Sequence, residues 1–191
     1  MIDKAPEDRK CSAVVALAGR RTDAFDAEVK RFPLDRVPIV KDEILQLLKN
    51  EAVGILVCSA ACGADLLALD SAISLGVRCR VILPYNTKKF RETSVVDRPG
   101  EWGPLYDRVI ANVQAKGDLI ILGGSPEGDQ AFSDATRAIV QEAENAAGMD
   151  RATSILVWEG SPHGRKDATA EFRQLALSAG MKELTVLTCA N

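Results

Sequence analysis

Histidine is almost missing from this chain of 191 residues, which contains one, His163. A Ser–His–Asp or Cys–His triad would have to be built on that single imidazole, and a zinc site of the thiolate type would lack close ligand pairs. Cysteine occurs five times (Cys11, Cys58, Cys62, Cys79, Cys189) but never as CxxC. Four of the five lie in or beside apolar runs, where a reduced thiol behaves as a small hydrophobe. No metal and no cofactor are therefore expected. Neither sign of charge dominates, since 24 Lys and Arg face 27 Asp and Glu for a net charge of -3. That balance speaks against nucleic acid as the main partner and for a small one. No apolar run approaches the roughly 18 to 20 residues of a membrane helix, and Met1 to Lys10 is charged without an apolar stretch, so a cytoplasmic protein with a flexible segment over 1–10 and no membrane partner is expected.

What is present is an ordinary globular composition, 47% apolar. A chain of this length buries roughly 70% of its unfolded surface, enough for one compact domain over 1–191. Short, continuous runs rich in Val, Ile and Leu recur at Ser12 to Ala18, Val53 to Ser59, Arg78 to Leu83, Asp118 to Leu122, Ser154 to Trp158 and Leu184 to Thr188. Such runs suit strands buried on both faces. Between them sit helical periods: Val40, Ile44, Leu47 and Leu48 behind Pro38, then Ala64 to Leu75 between Gly63 and Gly76, then Ala168 to Ala179 before Gly180. The alternation selects an α/β, doubly wound, Rossmann-like fold with a mainly parallel six-stranded sheet and helices on both faces. Two connections are long, Gly19 to Arg36 and Tyr85 to Val113; the second is expected to hold one or two helices.

In such a sheet ligands bind outside the carboxyl ends of the strands, so the loops that follow strands are the places to search. Gly19, Arg20, Arg21, Thr22 and Asp23 follow the first run, and guanidinium forks suit phosphate oxygens. Ser59 to Asp65 follows the second, with Gly63 and Ala64 where a strand turns into a helix whose N-terminus attracts anions. Asp65 in that first turn reads as a helix cap or as an acceptor for a ribose hydroxyl. Gly123 and Gly124 after the fourth run allow close backbone approach or a simple turn. Glu159 closes the fifth run. Gly164, Arg165, Lys166 and Thr169 precede the last helix and read either as donors near a helix N-terminus or as a basic surface loop. No GxGxxG or GxxxxGK[ST] is present.

The succession ALAGRRTD (16–23), SAACGADLLALDSAISLG (59–76), VILPYNTKKFRETSV (81–95) followed by Trp102, and ILVWEG (155–160) resembles the SLOG superfamily, Rossmann-like domains related to the LOG and DprA proteins. The resemblance implies a pocket for a nucleotide-derived signal, in a class attached to bacterial defence and signalling effectors, with an effector protein as a further partner. It places Gly19, Arg20, Thr22, Asp23, Ser59, Gly63, Ala64 and Asp65 on the ligand, Pro84, Phe90 and Ser94 near the rim, and has Gly160, Gly164 and Thr169 complete the site. LOG relatives suggest a homodimer. LOG enzymes cleave nucleotide N-glycosidic bonds through PGGxGTxxE, whereas Leu122 to Asp129 here reads LGGSPEGD, which lacks both GT and the spaced glutamate.

The reading that follows is binding or sensing of a nucleotide or nucleotide-derived small molecule at the strand tips, without chemistry. One alternative is an enzyme of the phosphoribohydrolase or deoxyribosyltransferase type, with Asp23, Asp65 or Glu159 as the catalytic carboxylate. The other is a scaffold whose pocket is vestigial.

Overall fold

The computed structural model describes residues 12–164 and 167–189. The expected flexible segment over 1–10, as well as Cys11, Arg165 and Lys166, lies outside them. Six strands form one sheet in the order β4-β3-β2-β1-β5-β6, and every neighbouring pair is parallel. They are β1 (Ala13–Gly19), β2 (Val53–Cys58), β3 (Arg78–Leu83), β4 (Leu119–Ile121), β5 (Thr153–Trp158) and β6 (Lys182–Leu187). The six apolar runs thus become the six strands, shifted by a residue or two at their ends. All six residues of β5 are buried, as a strand covered on both faces requires.

Six α-helices connect the strands: α1 (Val37–Asn50), α2 (Ala64–Ser74), α3 (Thr87–Ser94), α4 (Trp102–Ala115), α5 (Gln130–Ala147) and α6 (Ala168–Ser178). The long connection after β3 holds two of them, α3 and α4. Alternate residues along the strands feed two cores. Leu17, Leu56 and Val81 pack with Ile44, Leu66 and Val109 of α1, α2 and α4. Ala16, Val57, Ile82 and Leu156 pack with Ile139, Val140 and Phe172 of α5 and α6. Helices therefore cover both faces. No helix among the described residues is long and apolar enough to cross a membrane.

From β1 the chain steps outward through β2 and β3 to β4, then α5 carries it back across the sheet to β5 on the other side of β1. The strand order reverses between β1 and β5, and their carboxyl ends diverge there. Two glycines let the tip of β1 seat at that point. A Cβ on Gly19 would lie 2.5 Å from both the Ala64 Cβ and the Val157 carbonyl oxygen. Gly63 caps α2 at φ 88° and ψ -126°, a backbone region open essentially to glycine alone, and a Cβ there would lie 2.6 Å from the Arg20 carbonyl oxygen. Hydrogen bonds from Arg20 N to the Val157 carbonyl (2.8 Å) and from Ala64 N to the Arg20 carbonyl (3.0 Å) hold this contact. Gly63→Ala should therefore destabilise the protein by about 2–4 kcal/mol in denaturant titration, through strain and clash together.

Candidate functional site

The switch point between β1 and β5 is filled by the protein's own charges. The Arg20 guanidinium donates from Nε to Glu159 Oε2 at 2.6 Å and from Nη1 to Asp167 Oδ1 at 2.6 Å, with Nη2 reaching both carboxylates and the Ser161 carbonyl. Arg31 adds a bond to Glu159 Oε1 at 2.6 Å, and its other terminal nitrogen meets His163 Nδ1. Asp167 also accepts from the backbone N–H of Thr169 and Ala170, capping α6, and from that of His163. Burial pushes the Glu159 and Asp167 carboxyls up, but the hydrogen bonds and charge of Arg20 together with backbone N–H donors, and for Glu159 Arg31, outweigh it and leave both below the usual carboxylate range. The Arg20 fork, read as a phosphate clamp, is occupied by these two carboxylates.

The other charges near β1 are also committed. Arg21 donates to the Thr93 carbonyl and to Asp97. Asp23 accepts from the backbone N–H groups of Arg31 and Phe32 and so closes the loop that leads to α1. At the turn from β2 into α2, Ala61 N donates to Asp65, Cys62 N to the Ser94 carbonyl and Ala64 N to the Arg20 carbonyl. Three amides that could have cradled a phosphate are thus used internally.

An open crevice of about 150 Å³ remains at the tips of β1, β2 and β3. Leu17, Ala18 and Gly19 of β1 and Ser59 and Ala61 after β2 form one side, with Pro84 and, from α3, Phe90 and Ser94 beside them. The opposite wall is Phe132, Ala135, Thr136 and Ile139 of α5, with Ala168 and Thr169 at the start of α6. Tyr85 wedges between Phe90 and Phe132, with ring centroids 6.0 and 5.9 Å away, which fixes both rings. The only ionisable lining groups are Arg21 and Asp65.

Asp65 is 7% exposed. Its Oδ2 accepts from Ala61 N at 3.2 Å, and Oδ1 has no partner among the described residues. Burial raises its pKa to about 7, opposed by the Ala61 hydrogen bond and the Arg21 charge. A carboxyl perturbed in this way inside a crevice is a mark of functional sites. The thiols nearby are inert by contrast: burial pushes Cys58 up, Cys62 to about 11 and Cys79 to about 12.

Of the candidates named from sequence, the crevice brings together Gly19, Arg21, Ser59, Asp65, Pro84, Phe90, Ser94 and Thr169. Arg20, Thr22 and Asp23 line a neighbouring, wider cleft of about 450 Å³ with Arg31, Arg98 and His163. Arg98 has no ion-pair partner among the described residues. Gly63 and Ala64 support the turn from behind. Gly123, Gly124, Gly160 and Gly164 line neither hollow; Gly124 packs against Ala131 and the Pro84 carbonyl. Glu159 lies in the ion-pair cluster. The wall from α5 was not read from sequence, because apolar positions at helical spacing look the same whether they face a core or a cavity.

No family model and no curated protein matches the sequence. Among solved structures, the X-ray structure of DNA processing protein A (DprA) from Streptococcus pneumoniae matches at a TM-score of 0.42 and 14% identity, covering 91% of this chain. The match takes in 58% of the DprA chain, so this chain spans less than two thirds of its length. One expectation is corrected here. The expected partner, a nucleotide-like small molecule with nucleic acid excluded, is not upheld: the matched structure is by name that of a DNA-processing protein. The exclusion rested on net charge, which averages over the whole surface and is blind to a local cleft carrying Arg20, Arg21, Arg31 and Arg98.

Two outcomes follow. Arg20→Ala leaves Glu159 and Asp167 facing each other without their shared cation, and should cost about 2–4 kcal/mol of stability in denaturant titration near neutral pH. Asp65 binds its proton more tightly folded than unfolded, so its contribution is fully present below about pH 4 and is lost as pH rises to about 7. Asp65→Asn should therefore remove this slope and raise the melting temperature at pH 8, with a gain of up to about 4 kcal/mol over its effect at pH 4.

Proposed function

We propose that the crevice at the tips of β1, β2 and β3 binds a nucleotide unit, with the base ring held between the β-strand tips and α5. The single observation that carries this is the crevice itself: it is apolar, walled by aromatic rings in fixed positions, and contains one buried carboxyl. A dry cavity of the same size lined by Leu, Ile and Phe takes up a benzene-sized ring, so about 150 Å³ suits one heteroaromatic ring and leaves the sugar and phosphate outside. The wider cleft adjoins it through Arg21, which lines both hollows, and Arg98 there offers a guanidinium that no carboxylate of the described residues engages.

On this reading the chain is a divergent SLOG-type domain working in the cytoplasm as a sensor. In support, three of the four segments that carry the resemblance (16–23, 59–76 and 81–95) contribute residues to one hollow, and the fourth, 155–160, does not line it. Binding is preferred to turnover because the crevice holds one carboxyl, not the pair that displacement at a glycosidic carbon employs. Asp23 and Glu159 are tied up in loop closure and ion pairing.

The test is thermal unfolding with AMP, cyclic ADP-ribose, deoxynucleosides and a short single-stranded DNA. A ligand at a hundred times its Kd should add about 2.7 kcal/mol of stability. Ala135→Leu, which fills the crevice from the α5 side, should abolish the shift while the protein still unfolds cooperatively. No shift with any probe overturns the proposal, and free base released in proportion to protein overturns binding without turnover.

A further inference from the structure

The crevice treats Asp65 unusually. Asp65 shares the lining of the crevice with Leu17, Phe90, Phe132 and Ile139, its carboxyl receives one hydrogen bond, from Ala61 N, and it forms no ion pair among the described residues. The charged groups around it are few. From the loop after β1 comes Arg21, whose terminal nitrogens are committed to the Thr93 carbonyl and Asp97. From the end of β2 comes Cys58, a buried thiol beside Cys79 of β3. The α3, α5 and α6 walls present only the hydroxyls of Ser94, Thr136 and Thr169. An ionised carboxylate here would lack the paired charge and the set of donors that make burial tolerable.

Building on the nucleotide reading, we propose that Asp65 is held as the neutral acid and donates a hydrogen bond to an acceptor on the base, a ring nitrogen or an exocyclic carbonyl oxygen. This makes Asp65 a specificity-determining residue for the base and not a ribose-hydroxyl acceptor. The geometry suits it: Asp65 lines the crevice, one carboxyl oxygen accepts from Ala61 N, and the other, Oδ1, has no partner among the described residues. The raised affinity of this carboxyl for its proton agrees with that assignment. A donor buried against apolar walls also selects strongly, because a ligand without the matching acceptor leaves it unpaired.

Two measurements on the full chain test this. The first is a carbon-13 NMR titration of the Asp65 carboxyl, which needs no ligand. The second is calorimetric binding of adenosine, inosine and cytidine across the same pH range, to the native protein, Asp65→Asn and Asp65→Leu. The carboxyl should be neutral near pH 6. With binding confined to the protonated fraction, affinity should be roughly 30-fold weaker at about pH 8.5 than at about pH 6. Asp65→Asn, which keeps a donor, should bind without that pH dependence, and Asp65→Leu should lose at least about tenfold throughout. A carboxyl already ionised near pH 6, or affinity that rises with pH, overturns the proposal whatever binds. A neutral carboxyl with no nucleoside bound at any pH overturns the nucleotide reading, and the donor role with it.

Discussion

Arg20 leaves β1 at the one place where the neighbouring strands part, and a single guanidinium there holds two carboxylates that would otherwise repel each other. Glu159 belongs to the end of β5 and Asp167 to the start of α6, so the clamp ties three elements together across the switch point. The crevice position follows from it. With the gap between β1 and β5 filled by charge, the remaining hollow lies over β1, β2 and β3, beneath α5. In an open α/β sheet the switch point ordinarily receives the ligand; here Arg20, Glu159 and Asp167 occupy it, and none of the three lines the crevice beside it.

The clamp also depends on close contact that only small residues permit. Gly19 and Gly63 bring the β1 tip, the β5 end and the α2 start within hydrogen-bonding reach, and their carbonyl and amide groups then satisfy one another. The glycines therefore shape the site without touching a ligand. That distinction separates them from Asp65, which lines the crevice itself.

The fold was legible because parallel strands buried on both faces leave continuous apolar runs, and all six were visible with helical periods between them. The site was legible in part. The loops after β1 and β2 supplied Gly19, Arg21, Ser59 and Asp65, since strand-to-loop turns in this class of sheet are where ligands sit. The role of Arg20 was not legible, because its partners lie 139 and 147 residues away in sequence and no local pattern reports them. Arg31 and Arg98 escaped notice in long connections without periodicity, and Phe132, Ala135, Thr136 and Ile139 passed for ordinary core positions on α5. The state of Asp65 was hidden too, because a first-turn carboxylate reads as a helix cap until its surroundings are known.

The route of α5 has a bearing on how the molecule assembles. This helix starts after the edge strand β4 and ends before β5, so it can settle only onto a sheet in which β1, β2 and β3 are already side by side. Closing so long a loop costs entropy before its contacts repay it. The α5 wall of the crevice is thus held by contacts distant in sequence from the strands it covers. Ile139 of α5 both walls the crevice and packs into the core with Ala16, Val57 and Leu156, so the hollow and the core on that face of the sheet share one support.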